Sequence, residues 1–363
     1  TSYPNNSELT LGGITAGNVI SGEINITNPP GSSFTQRINV TKSGGGSWTL
    51  NGVFSSSGTL TVTDGTLTLS GTNTYGGPTA VQGGTLVAKT NAPHNANGAF
   101  GKSGSEVNLG LANGDSNASI LIEGPYTIGR NIRLLTQNIS DSGSRVLTLG
   151  GNTADSSVFS GSVILGTNNN AGRSITLTAA SGGRVTFSGV IQNPTGMDAT
   201  AFTVTKAGAG AVELGNSNTY TGATLISGGT LEITGATQAT SSITFASGGV
   251  LGFTLGSSVT AASAAVDLTG GQIQVTGVPS GPSHILLTAS SISGTPVLAN
   301  PVPGYELEVV GNQLQLNEIT PPDPYAAWSV AADFAADFAA DANGDGVQNG
   351  LAWALGATDA NAN

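Results

Sequence analysis

The chain has 363 residues, 55 of them glycine, with no cysteine and only 9% charged side chains. This excludes disulfide and thiol chemistry, and the basic residues, scattered singly, cannot line a phosphate track, so nucleic acid is not an expected partner. The net charge of -11 is uneven: ten Lys and Arg accompany nine acids up to Lys206, whereas twelve acids and no base follow it. That distribution reads either as an acidic tail or as a body with unlike ends that attract or recruit divalent cations.

Disorder is argued against by the 37% hydrophobic residues, because they recur at strand spacing. Glu8 to Leu11 and Asn18 to Ile26 alternate before Asn28-Pro29-Pro30-Gly31, and read as irregular first coils or a cap. From Ser33 to about Leu316 the strand-turn rhythm hardly breaks. Thr66-Leu67-Thr68-Leu69 and Thr230-Leu231-Glu232-Ile233 place aliphatics on one face and small polar or charged groups on the other. Gly-Gly, Gly-Asn and Ser-Gly pairs separate such runs and supply turn conformations at low steric cost. Longer loops are expected at Asn91 to Gly104, Asn113 to Asn117, Thr167 to Gly172 and Gln192 to Asp198.

The rhythm contains a repeat. Asn73-Thr74-Tyr75 and Gly83-Gly84-Thr85-Leu86 recur 145 residues later as Asn218-Thr219-Tyr220 and Gly228-Gly229-Thr230-Leu231. A lead-in at Val40 to Gly46 answers Val204 to Gly210 at a longer offset, which implies an insertion in the earlier copy. No unit is long enough to bury its own apolar face, so units must stack, each coil covering the next. With roughly 20 to 25 residues per coil, about 13 coils are expected at about 4.8 Å each. Tyr75 and Tyr220 read as corner packing groups or, alternatively, as aromatic platforms for sugars.

The pattern KxGxGxxxLGxxNTYxGxTxxxGGTLxI at Lys206 to Ile233 resembles the autotransporter-associated β-strand repeat of secreted passengers. The resemblance implies a right-handed parallel β-helix, an all-β solenoid, on the outside of a bacterium after removal of a signal peptide, and it names no ligand or reaction. The expected divisions are a solenoid at 1–318, a Pro-rich linker at 319–325 and a short α-helical module at 326–363. No run of about eighteen apolar residues marks a membrane span.

In the last segment the texture turns alanine-rich, and Val330, Phe334 and Phe338 fall on one helical stripe with Trp328 near its start. This amphipathic stripe is expected to dock on the last coil or on a neighbouring subunit. Asp341, Asn343, Asp345, the carbonyl of Val347 and Asn349, with Gly346 between, reproduce the first nine positions of an EF-hand-type calcium loop. Ala352 stands where a bidentate Glu is expected, so calcium would be held weakly or completed by another segment. The alternative is an ion-free Asx-rich turn. The segment as a whole also resembles a helix plus calcium-loop, dockerin-like module of exported bacterial proteins.

No catalytic set is expected. His94 and His284 stand far apart, clustered carboxylates are not evident, and Gly129 to Arg133 and Tyr305 to Glu308 read as exposed faces of single sign. The leading expectation is an extracellular structural rod that self-associates head to tail into a fibre. The alternative is an adhesin stem or a carbohydrate-binding or carbohydrate-cleaving β-helix with surface glycans as partners.

Overall fold

The computed structural model describes residues 6–26, 36–112, 114–135, 145–167, 174–195, 203–246, 248–319 and 348. The chain divides into two compact units, Thr1–Val302 with Leu307–Leu316, and Pro303–Glu306 with Asn317–Asn363. Trp328, Val330, Phe334, Phe338, Asp341, Asn343, Asp345, Val347 and Asn349 lie outside the described residues, and so do the predicted linker beyond 319 and the predicted helical module except Gln348.

The first unit is all-β. Strands of successive coils pair in parallel and in register, as in a β-helix, and form sheets of fourteen, eight, seven and two strands. The fourteen-stranded sheet begins at Asn18–Ile20 and ends at Gln313–Glu318 and Tyr305–Val310. The eight-stranded sheet runs from Asn6–Leu11 to Ile191–Gln192, and the seven-stranded sheet from Thr127–Ile128 to Gln272–Thr276. Within the predicted first stretch, Asn6–Leu11, Asn18–Ile20 and Ile24–Asn25 thus form a coil whose strands pair with those of the next.

Strand alternation decides what faces inward. Leu67, Leu86, Ile120, Leu149 and Leu177 form one in-register column of buried side chains. On the seven-stranded sheet Ile128, Phe159, Phe187, Leu214 and Ile233 form another, with the two phenyl rings stacked 4.9 Å apart. Burying each such side chain contributes about 1.5–3 kcal/mol, and only stacking makes it available. Outward positions carry a hydroxyl ladder, Ser47, Thr66, Thr85, Ser119, Thr148, Thr176 and Thr205.

The coils are less uniform than expected. Trp48, Leu67 and Leu86 pair across steps of 19 residues, and Lys206, Ile226 and Phe245 across 20 and 19. Between Leu86 and Lys206 the steps are 34, 29, 28 and 29. The coils from Ile120 to Lys206 run through three sheets, whereas the coils from Leu67 to Leu86 and from Lys206 to Ile226 use two strands and close the third side with a corner. Asn73-Thr74-Tyr75 and Asn218-Thr219-Tyr220 are two such corners.

Candidate functional site

The residues that define the repeat are the first candidates for function. Lys42 and Lys206 occupy inward columns, between Leu11 and Val62 and between Leu177 and Ile226, where aliphatics are the rule. Both are fully buried. Lys206 Nζ donates to the carbonyls of Ala207, Gly208 and Gly228 at 2.8–2.9 Å. Lys42 Nζ does the same to Ser43, Gly44 and Asp64. The partners are equivalent residue by residue, so each ammonium ties the turn of its own coil to the turn of the next. Burial lowers both pKa values, that of Lys206 to about 8, while Asp64 partly opposes the shift at Lys42.

Glycine is required where the next turn approaches the ammonium. Gly65 and Gly229 have φ of 65° and 59°, and a Cβ there would lie 2.3 Å from Gly44 O and 2.5 Å from Gly208 O. This equivalence corrects the expected insertion. Val40 to Leu69 aligns with Val204 to Ile233 without a gap, at an offset of 164, and Asn73-Thr74-Tyr75 belongs to a further copy one short coil on. The repeat is also not tied to one face. Its lead strand lies in the eight-stranded sheet at Arg37–Lys42 but in the fourteen-stranded sheet at Val204–Ala207.

At the corners, carboxamides replace a missing strand. Asn73 Oδ1 accepts from Phe54 N and Asn218 Oδ1 from Ile191 N, both at 2.8 Å, which satisfies the last strand of the interrupted face. Asn218 Nδ2 donates to Gln238 Oε1, continuing an amide ladder into the next coil. Tyr75 and Tyr220 are buried, with their hydroxyls 2.6 and 2.7 Å from Thr79 and Thr224 Oγ1, and Tyr75 stacks on Phe54 at 4.8 Å. They are corner packing groups, not sugar platforms. Burial raises both phenolic pKa values, that of Tyr220 to about 12.

Two expectations about charge are corrected. Gly129 to Arg133 is not an exposed face: Arg130 is 1% exposed and donates to Phe100 O and Ser105 O, because the loop after Lys89 folds over it and supplies carbonyls. Arg133 forms a two-bond ion pair with Glu106 from the neighbouring coil. Carboxylates also do cluster. Glu213 and Glu232 stand opposite each other on paired strands, and Arg184 binds both. Burial works against ionisation of Glu213, but hydrogen bonds from Thr234, Arg184 and Thr186 hold its pKa below the usual carboxylate value. Hydrogen bonding to Glu232, against burial, and then to Glu213 raises the Arg184 pKa further. Each carboxylate is already bound by arginine, so the cluster is an ion-pair network across three coils. Sequence reasoning missed it because the partners are 29 and 48 residues apart, separations set by coil length.

Among the described residues no group of three or more His, Cys, Asp or Glu could hold a metal ion, and no helix is long and apolar enough to cross a membrane. Parallel coils, inward aliphatic columns and internal lysine and asparagine ties define a β-helical repeat protein. Residues 40–68, 64–88 and 204–233 match the family model of the passenger-associated-transport-repeat, the first two matches overlapping as the coil pairing requires. These stretches are therefore similar to passenger-associated-transport repeats, which suggests a secreted or cell-surface protein. No curated protein and no solved structure matches the chain.

Proposed function

We propose that this chain is a structural stem of an exported bacterial passenger, a β-helix whose unlike ends join copies head to tail into a surface or matrix fibre. The observation that carries the stem is the fate of the repeat's polar residues. Lys42, Lys206, Asn73, Asn218, Tyr75 and Tyr220 are all engaged inside the stack, so the repeat serves folding and offers no group to a ligand. A stem assigns no reaction to the chain.

The fibre draws on the first coil. Among the described residues Asn6–Leu11 and Asn18–Ile20 are end strands of their sheets, and Ile14 and Val19 are 90% and 52% exposed. Such an edge invites another strand, and a contact between unlike ends does not close on itself. In this reading the stripe of Trp328, Val330, Phe334 and Phe338 docks on the next copy, and calcium at Asp341, Asn343, Asp345, Val347 and Asn349 fixes the joint. Light scattering at several concentrations, with calcium and then with excess chelator, tests it. Growth that calcium controls and Ile14→Lys abolishes supports the fibre. A monomer throughout removes the fibre and leaves the stem. Absence of calorimetric heat on calcium titration removes the ion.

A further inference from the structure

The longest coil, the 34-residue step between Leu86 and Ile120, carries a loop that is firmly held. Asn73 and Gly98 exchange both backbone hydrogen bonds, Ala92 N donates to Thr127 O, Gly129 N donates to Ala92 O, and Ala99 N donates to Asn91 O. Buried Arg130 ties Phe100 and Ser105 from beneath. A loop kept in one shape and absent from the short repeat coils is a feature that stem formation does not require.

Beside it lies a cleft of about 630 Å³, within the range of small-ligand sites. Thr72, Asn91, His94, Asn97, Thr127 and Ser160 line it, and no Lys, Arg, Asp or Glu does. A phosphate, sulfate or uronate would find no counter-charge there. A peptide strand would find no open ladder, because the wall's backbone groups at Ala92, Thr127 and Gly129 are already paired. Hydroxyls, carboxamides and an imidazole, with the Pro93 ring as an apolar wall, suit a neutral polyhydroxylated ligand. Thr72, the loop, Thr127 and Ser160 come from successive coils, so the partners are offered at steps of about 4.8 Å along the stack. That is a ladder for a chain of repeating sugar units.

We propose that this cleft, formed by Thr72, the loop at 90–98, Thr127, Gly129 and Ser160, binds a neutral oligosaccharide. The site goes beyond the stem reading and stands whether or not copies polymerise. The test is calorimetric titration of the full chain with cello-, manno-, xylo- and chito-hexaose, and with oligogalacturonate as the charged control. Two variants accompany it. Gly129→Leu fills the floor, where a Cβ would meet its nearest neighbours at an ordinary 3.5 Å. Asn97→Ala removes a rim carboxamide that makes no hydrogen bond among the described residues. Saturable binding of at least one neutral hexasaccharide is expected, weakened tenfold or more by Gly129→Leu and severalfold by Asn97→Ala, with thermal unfolding midpoints unchanged. Absence of binding by all four, tighter binding of oligogalacturonate, or binding that both folded variants leave intact would overturn the proposal. If Gly129→Leu unfolds, Asn97→Ala alone decides.

Discussion

A buried lysine with no carboxylate in contact is an unusual way to build a core. Transfer of an ammonium from water is costly, and Lys206 tolerates it because three carbonyls replace its hydration shell. Lys206→Met keeps the stem but leaves those carbonyls without a donor, and charged hydrogen bonds of this kind are worth about 1.5–3 kcal/mol each before compensation. A net loss of about 2–4 kcal/mol is expected in denaturant unfolding. The pH dependence has a sign. The folded pKa of about 8 lies below the unfolded 10.5, so the unfolded chain binds more protons between them and stability rises with pH in that interval. Tyr75 and Tyr220 act oppositely, since their folded pKa values lie above the unfolded 10 and their contribution is lost as pH rises beyond it. The unfolding midpoint should therefore climb from pH 8 to about 10 and fall above it. The climb, measured by circular dichroism, should shrink in Lys206→Met, while the fall should shrink in Tyr220→Phe.

At the scale of the element, the corner sets coil length. Asn218 satisfies Ile191 N, the amide ladder passes to Gln238, and the Tyr220 ring fills the space a strand would occupy. Asn218→Ala orphans a buried donor and should cost about 1–3 kcal/mol, with amide exchange at Ile191 as the local readout. Gly229→Ala should be worse, because its φ of 59° disfavours any side chain and the new Cβ would press on Gly208 O at 2.5 Å. The ion pairs are a contrast. Arg184 is 38% exposed, so Arg184→Ala should cost only about 0.5–1 kcal/mol, and the cost should diminish in high salt. These elements were legible in the sequence to different degrees. Period-2 alternation identified Thr66 to Leu69 and Thr230 to Ile233 as strands, and Gly punctuation identified their turns, because both signals are local. The role of Lys206 was not legible, since a lysine in an alternating run reads as outward unless the three carbonyls that receive it are known. Arg130 failed for the same reason, its carbonyls arriving from a loop 25–30 residues earlier.

For the stacked unit as a whole, register was the missing quantity. The sequence shows that units must stack, but coil steps of 19 to 34 residues leave open which outward side chains share a level. The Glu213, Glu232 and Arg184 network and the cleft at His94 follow only once Leu86 is seen to pair with Ile120 and Thr186 with Glu213. The same nearest-neighbour connectivity governs how the unit comes apart. Each coil is hydrogen-bonded to the coils before and after it, so stability is approximately a sum of coil terms and interface terms, not one all-or-none quantity. A lesion should then act over a short distance along the stack. In Gly229→Ala, hydrogen exchange should lose protection first at Val204–Ala207 and Gly229–Ile233, the strands that the Lys206 tie joins. Ala118–Ile122, several coils away in the fourteen-stranded sheet, should retain its protection within about threefold. Equal loss at both places would mean that the solenoid unfolds as one cooperative body, and that the internal lysine and asparagine ties couple coils far beyond their neighbours.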